Sequence, residues 1–137
     1  DDEAVRLSAA RAWSVWEGAT SKLFPDQELM DHWVGEHEAL SLARIDCHYF
    51  MNNSFFPSEN YLLDNVGKIR HIPTVIVQGR YDIVCPIASA WALHEAFPES
   101  ELIIVPDAGH SVSEKGTTAA LVDAMDRFRT AKAGQAG

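Results

Sequence analysis

The 137-residue sequence predicts an α/β fold with parallel strands. Two short runs rich in β-branched residues, "PTVIVQG" and "ELIIVP", each stop where turn-forming residues begin. "PIASAWALHEAF" lies between them with helical spacing, and "TTAALVDAMDRFRTA" follows the second run. The order β-α-β-α makes the two strands parallel neighbours joined by a crossover helix.

The first half reads as helical. Val5, Ala9, Ala12, Trp13, Trp16, Thr20 and Leu23 recur at three- and four-residue steps, which puts them on one face. Pro25-Asp26 ends that helix. A second helix is expected to carry Leu29, Met30, Trp33, Val34, His37 and Leu40 and to run on through "SLARIDCHYF". "MNNSFFPSEN" reads as a loop, with Ser58 capping a short helix over 59–69.

In the second half, "PTVIVQG" is expected to be a buried parallel strand ending at Gly79. Pro86 suits the first turn of the next helix. Ile87, Trp91, His94 and Phe97 share a face of it. After the second buried strand, the last helix is expected to turn Leu121, Met125 and Phe128 inward. Arg127 and Arg129 fall in its final turns, where cations suit the helix dipole. The tail "AKAGQAG" is expected to fray.

Two parallel strands do not make a stable sheet, because such sheets are buried and need neighbours. The remaining strands are therefore expected from a partner or from a longer protein. A helix starting almost at residue 1, with no initiator Met, favours the longer protein.

Composition narrows the function. Hydrophobic residues make up 47%, enough to build a core, and one domain is the prior at this length. The formal net charge is −9, so neither a nucleic-acid backbone nor an anionic membrane is expected as a partner. Cys47 and Cys85 are the only cysteines and form no framework, which fits a reduced, cytoplasmic setting. No apolar run approaches the roughly 20 residues of a membrane-spanning helix. "DDEAVRL" at the start is unlike a secretory signal.

In open α/β sheets, ligands bind beyond the carboxyl ends of the strands. The first such loop, "GRYDIVCP", carries Asp82, and the second, "PDAGH", carries His110. Adjacent parallel strands would bring them together. An Asp that accepts from His Nδ1–H fixes the tautomer and stabilises the imidazolium formed when the His takes a proton from a nucleophile. Either residue alone also reads as an ordinary loop residue. Asp107, on the His110 loop itself, reads as a turn former. In α/β-hydrolases the chain order is nucleophile, acid, His. No G-x-S-x-G occurs here, and no serine from Ser8 to Ser58 sits on a strand-to-helix elbow. The nucleophile is expected upstream.

A cluster of Asp31, His32, Glu36, His37, Glu38, Asp46, Cys47 and His48 raises the question of a metal. His32 and His37 are five apart, which misses the i, i+4 spacing of a helical zinc pair, so no metal is expected. His71 and His94 read as loop and helix-face residues, and Trp13 and Trp16 as helix packing.

Three segments carry a specific resemblance: "AARAWSVWEG" at 9–18, "ARIDCHYFMNNSFF" at 43–56, and "VQGRYDIVCPIASAWALHEAFPESELIIVPDAGHS" at 77–111. The chain resembles the C-terminal half of the proline iminopeptidase (prolyl aminopeptidase) family, serine peptidases of the α/β-hydrolase superfamily. The resemblance implies the C-terminal portion of an α/β-hydrolase fold. Residues 1–65 would form most of a helical cap, and 66–137 the β-α-β-α end of the hydrolase core. It implies that Asp82 and His110 are the acid and base of a triad. The substrate implied is a peptide with an N-terminal proline, no cofactor is involved, and the other partner is the N-terminal half of the same protein.

By motif match, Glu17 and Asp46 fall where the family grips the substrate's free amine with two carboxylates. A protonated secondary amine has two N–H donors and one charge, which two carboxylates satisfy. Phe50 falls where the family has an aromatic that lines the proline-ring pocket; it would equally suit the core of the cap. The family usually has Glu-Asn where Asp46-Cys47 stand here, so the carboxylate is one methylene shorter. The 137 residues alone are expected to be inactive. The other readings are an esterase or epoxide hydrolase of the same fold, and a non-catalytic domain that binds a partner through its helical half.

Overall fold

The computed structural model describes residues 2–28, 31 and 35–133. The chain divides into two compact units, Asp1–Tyr61 and Leu62–Gly137.

The first unit is built on two helices, α1 (Glu3–Ser21) and α2 (Glu36–Met51). Asp2 starts α1: its Oδ1 accepts the Ala4 amide at 2.9 Å and, with Glu3, complements the dipole. The buried stripe of α1 is not the expected aromatic one. Ala10, Ser14, Gly18 and Ser21 are buried, while Val5 and Trp16 are exposed. Helix backbones approach closely only where side chains are small, and α1 packs on α2 through this stripe and the fully buried Ala39. Trp13 and Trp16 lie beside the seam with ring centroids 5.3 Å apart.

Helix α2 runs through "SLARIDCHYF" as expected, but it begins at Glu36 with Gly35 as its non-helical N-cap, so it is not one helix with the residues before Gly35. Of the face assigned to it, Leu29, Met30, Trp33, Val34 and the side chain of His37 lie outside the described residues, and Leu40 is half-buried. After α2 the chain turns through three consecutive left-handed residues, Asn53, Ser54 and Phe55, with φ of 50°, 53° and 60°. None is glycine, so the turn is strained by roughly 1–3 kcal/mol per residue. It folds the Phe55 ring back to 5.2 Å from His48 and 5.6 Å from Tyr49.

The helix expected over 59–69 is broken. The structure has one turn, α3 (Tyr61–Asp64), and a 3₁₀ turn over Val66–Lys68. Asn65 and Gly67 are poor helix formers and interrupt it. Ser58 offers its backbone carbonyl to the Tyr61 amide at 3.3 Å.

The second unit is β1 (Val75–Gly79), α4 (Ile87–Ala96), β2 (Glu101–Val105) and α5 (Lys115–Ala133). The strands pair in parallel, with Val75 opposite Glu101 and Gly79 opposite Val105. Both helices pack against both strands. This is a partial α/β fold. The strands were expected to be buried, but Val75, Ile76 and Val77 are half-buried and Ile104 is exposed. Among the described residues the sheet has two strands, too few to cover either strand on all sides.

The helix faces are corrected in the same way. Helix α4 buries Ala90, and Phe97 just past its end, and leaves Trp91 51% exposed. Helix α5 buries Thr117 and Ala124 with Leu121 and Phe128 half-buried, but Met125, expected inward, is 66% exposed. A sheet two strands wide covers a narrow stripe, and Met125 lies off it. Arg127 is held by Glu101 of β2 at 2.8 Å and by Asp123 at 3.1 Å. Of the tail expected to fray, the backbone is helical to Ala133, and 134–137 lie outside the described residues.

Candidate active site

The site begins with a close approach of two loops. The Arg80 amide donates to the Val105 carbonyl and the Tyr81 amide to the Ala108 carbonyl, both at 2.9 Å. These bonds carry the pairing of β1 and β2 past the strand ends. Gly79 makes the approach possible: a Cβ there would lie 1.9 Å from the Gly109 carbonyl oxygen and 2.8 Å from that of Ala108.

The two loops then present Asp82 and His110 to each other. His110 Nδ1 lies 3.0 Å from Asp82 Oδ2. An ionised carboxylate only accepts, so the ring proton sits on Nδ1 and Nε2 is left as the basic nitrogen. The Asp82 side chain is 7% exposed and that of His110 41%. The acid is shielded, which strengthens its bond, while the imidazole stays open to a reacting group.

Asp82 is fixed on its other side as well. Its Oδ1 accepts the Val84 amide at 3.0 Å and the Cys85 amide at 2.7 Å, an Asx-type turn closed by the side chain. Buried Gln78 on β1 directs its amide nitrogen at the same loop. On the facing loop, Glu114 accepts the Gly109 amide at 2.6 Å, beside His110. Asp107 lies in the turn that follows β2.

In the helical unit, Trp13 Nε1 donates to Asp46 Oδ2 at 2.9 Å, from α1 to α2. A carboxylate has two oxygens, and this bond uses one. Glu17 is half-buried one turn beyond Trp13 on α1, so it emerges on the same side of the helix. Phe50 stands edge-on to Trp13, with centroids 6.2 Å apart, and is 64% exposed, so it is not core within this unit. Trp13, Phe50 and Cys47 border an apolar hollow of about 380 Å³.

Gln78, Glu114 and the indole N–H of Trp13 carry polar contacts that the sequence reading did not single out. Trp13 had one available signal, its i, i+4 spacing to Glu17. Gln78 had another, a polar residue inside a β-branched run. Among the described residues no group of His, Cys, Asp and Glu is placed to hold a metal. No described helix is long and apolar enough to cross a membrane.

Residues 37–133 match the family described as TAP-like protein, a family of α/β-hydrolases, and the chain belongs to it. Its curated relatives are more specific. A probable proline iminopeptidase of Leptolyngbya boryana is 59% identical over 127 residues, covering 93% of this chain and 40% of the relative. A proline iminopeptidase of Arabidopsis thaliana is 53% identical over 129 residues, covering 94% and 34%. Another, of Xylella fastidiosa (strain Temecula1), is 53% identical over 128 residues, covering 93% and 41%. The chain thus spans about two fifths of the length of the curated relatives it matches.

Proposed function

We propose that the complete protein is a serine exopeptidase that releases proline from the N-terminus of peptides. In this reading the described residues form the C-terminal portion of an α/β-hydrolase, with 1–65 as most of its helical cap. The observation that carries it is the 3.0 Å Asp82–His110 pair at the ends of two adjacent parallel strands. The iminopeptidase names of the relatives support the substrate class.

The mechanism follows from the pair. A serine supplied by the rest of the protein attacks the carbonyl carbon of the N-terminal proline. His110 Nε2 takes the hydroxyl proton, and Asp82 stabilises the imidazolium. The C–N bond breaks, His110 returns the proton to the leaving amine, and a proline ester of the serine remains. His110 then deprotonates a water that attacks the ester carbonyl, and returns the proton to the serine oxygen as the ester C–O bond breaks and proline leaves.

Glu17 and Asp46 hold the substrate's charged amine, so only the first peptide bond reaches the serine. Two charge-assisted hydrogen bonds suit a secondary ammonium. The bond from Trp13 aims the shorter Asp46 carboxylate. Phe50 offers an open aromatic surface to the proline ring. Cys47 and Cys85 are exposed and not disulfide-bonded, which supports a cytoplasmic location.

The test is substrate selectivity. In the complete protein, Glu17→Gln should raise KM for a proline arylamide about tenfold or more and leave turnover of an acetyl ester unchanged. An equal loss on both substrates would remove the amine-anchor role. Efficient acetyl-ester turnover with no prolyl turnover would favour the esterase reading.

A further inference from the structure

Gln78 is the penultimate residue of β1, and its side chain is buried. Three acceptors converge on its amide. Nε2 lies 3.1 Å from the Gly79 carbonyl, 3.0 Å from the Cys85 carbonyl and 3.4 Å from Asp82 Oδ2. An amide oxygen facing three oxygens would be repelled, so the nitrogen must face them. Two hydrogens serve three acceptors, and the longest contact is the weakest.

The pattern is unlike ordinary strand packing. The Gly79 and Cys85 carbonyls bracket the Asp82 turn from both ends. Asp82 Oδ1 is fixed by the Val84 and Cys85 amides, and Oδ2 by His110. Gln78 ties down the backbone that carries those amides and touches the oxygen that meets His110.

We propose that Gln78 is a positioning residue for the Asp82–His110 pair, acting as a hydrogen-bond donor that sets the Asp82 carboxylate against the imidazole. The proposal rests on the hydrolase reading above and assigns Gln78 no contact with substrate.

The test uses two variants of the complete protein. Gln78→Met keeps the length and removes the donors. Gln78→Glu keeps the shape, donating one O–H when protonated and repelling Asp82 when ionised. Gln78→Met should lower kcat about tenfold to a hundredfold on proline arylamide and acetyl ester alike, with KM for the arylamide unchanged. For Gln78→Glu, the loss relative to the unmodified protein should be small at acid pH and grow as the introduced carboxyl ionises. The far-downfield proton resonance of His110 Nδ1–H, read without substrate, should weaken or shift in Gln78→Met.

An unchanged kcat and an unchanged resonance in Gln78→Met would overturn the proposal. So would a loss in Gln78→Glu that is the same at every pH, which is what a packing defect gives. If Gln78→Met fails to fold, Gln78→Glu decides the matter alone. A perturbed resonance in a protein that never turns over proline arylamide would uphold the positioning role and refute the peptidase reading.

Discussion

Trp13 and Asp46, 33 positions apart, are joined by one 2.9 Å hydrogen bond from the indole N–H to a carboxylate oxygen. The bond links α1 to α2 beside a seam of small residues. It gives Trp13 a polar task that its apolar ring conceals.

Trp13→Phe keeps an aromatic ring and deletes the donor. A hydrogen bond to a charged group is worth about 1.5–3 kcal/mol. The helical unit should lose about 2 kcal/mol in denaturant unfolding. In the complete protein, KM for proline arylamide should rise while acetyl-ester turnover stays level. Unchanged stability and unchanged KM would mean that the bond does not aim Asp46.

Gly79→Ala tests the approach of the two loops. The new methyl would overlap the Gly109 carbonyl oxygen, a backbone atom that cannot swing aside. Overpacking of this kind costs about 1–3 kcal/mol and here should reach at least the upper end. Thermal unfolding should show a fall in Tm of many degrees. A Tm within a degree of the unmodified chain would show that the loops separate without cost.

Glu114→Ala removes the acceptor of the Gly109 amide next to His110. The short charge-assisted bond predicts a loss of about 1.5–3 kcal/mol in unfolding free energy. Glu114→Gln, which keeps an acceptor without the charge, should lose less. The same loss for both would mean that the carboxylate charge contributes nothing at this bend.

The exposed pair Arg70–Glu99 sets a pH dependence. The Arg70 hydrogen bonds, at 2.8 and 3.0 Å from Nε, hold the Glu99 carboxyl below its ordinary range, against an opposing effect of desolvation. A carboxyl whose folded pKa is depressed stabilises above its unfolded pKa, about 4.3, and the gain is lost as pH falls through the folded value. The Tm difference between the unmodified chain and Arg70→Met should therefore be small at neutral pH, begin to shrink as pH falls below about 4.3, and vanish once pH is below the depressed folded value. It should also shrink with added salt. A difference that persists at low pH would assign it to packing of the arginine stem.

The proximity of Asp82 and His110 was legible because strand ends are marked by turn residues and parallel neighbours bring successive loops together. The helix faces were less legible. Periodicity assigns large apolar residues inward, but a two-helix seam selects Ala10, Ser14 and Gly18 for their size. Met125 and Trp91 kept the right spacing and lie off the stripe that two strands cover. Gln78 on β1 and Glu114 before α5 act through hydrogen bonds to loop atoms, which leave no periodic trace. The left-handed run at Asn53–Phe55 falls in a predicted loop, and of its residues only Asn53 is of a type that favours a positive φ.

The central claim is that Asp82 orients His110 as the base that releases N-terminal proline. The direct measurement is kcat/KM of the complete protein on a proline arylamide, compared between the unmodified protein and Asp82→Asn. Asparagine keeps the shape and can favour the wrong ring tautomer, an exchange that costs about 10⁴-fold in serine proteases with an Asp-His-Ser triad. A fall of at least about a thousandfold, with KM little changed, is expected. Retention of most of the activity in Asp82→Asn would contradict it.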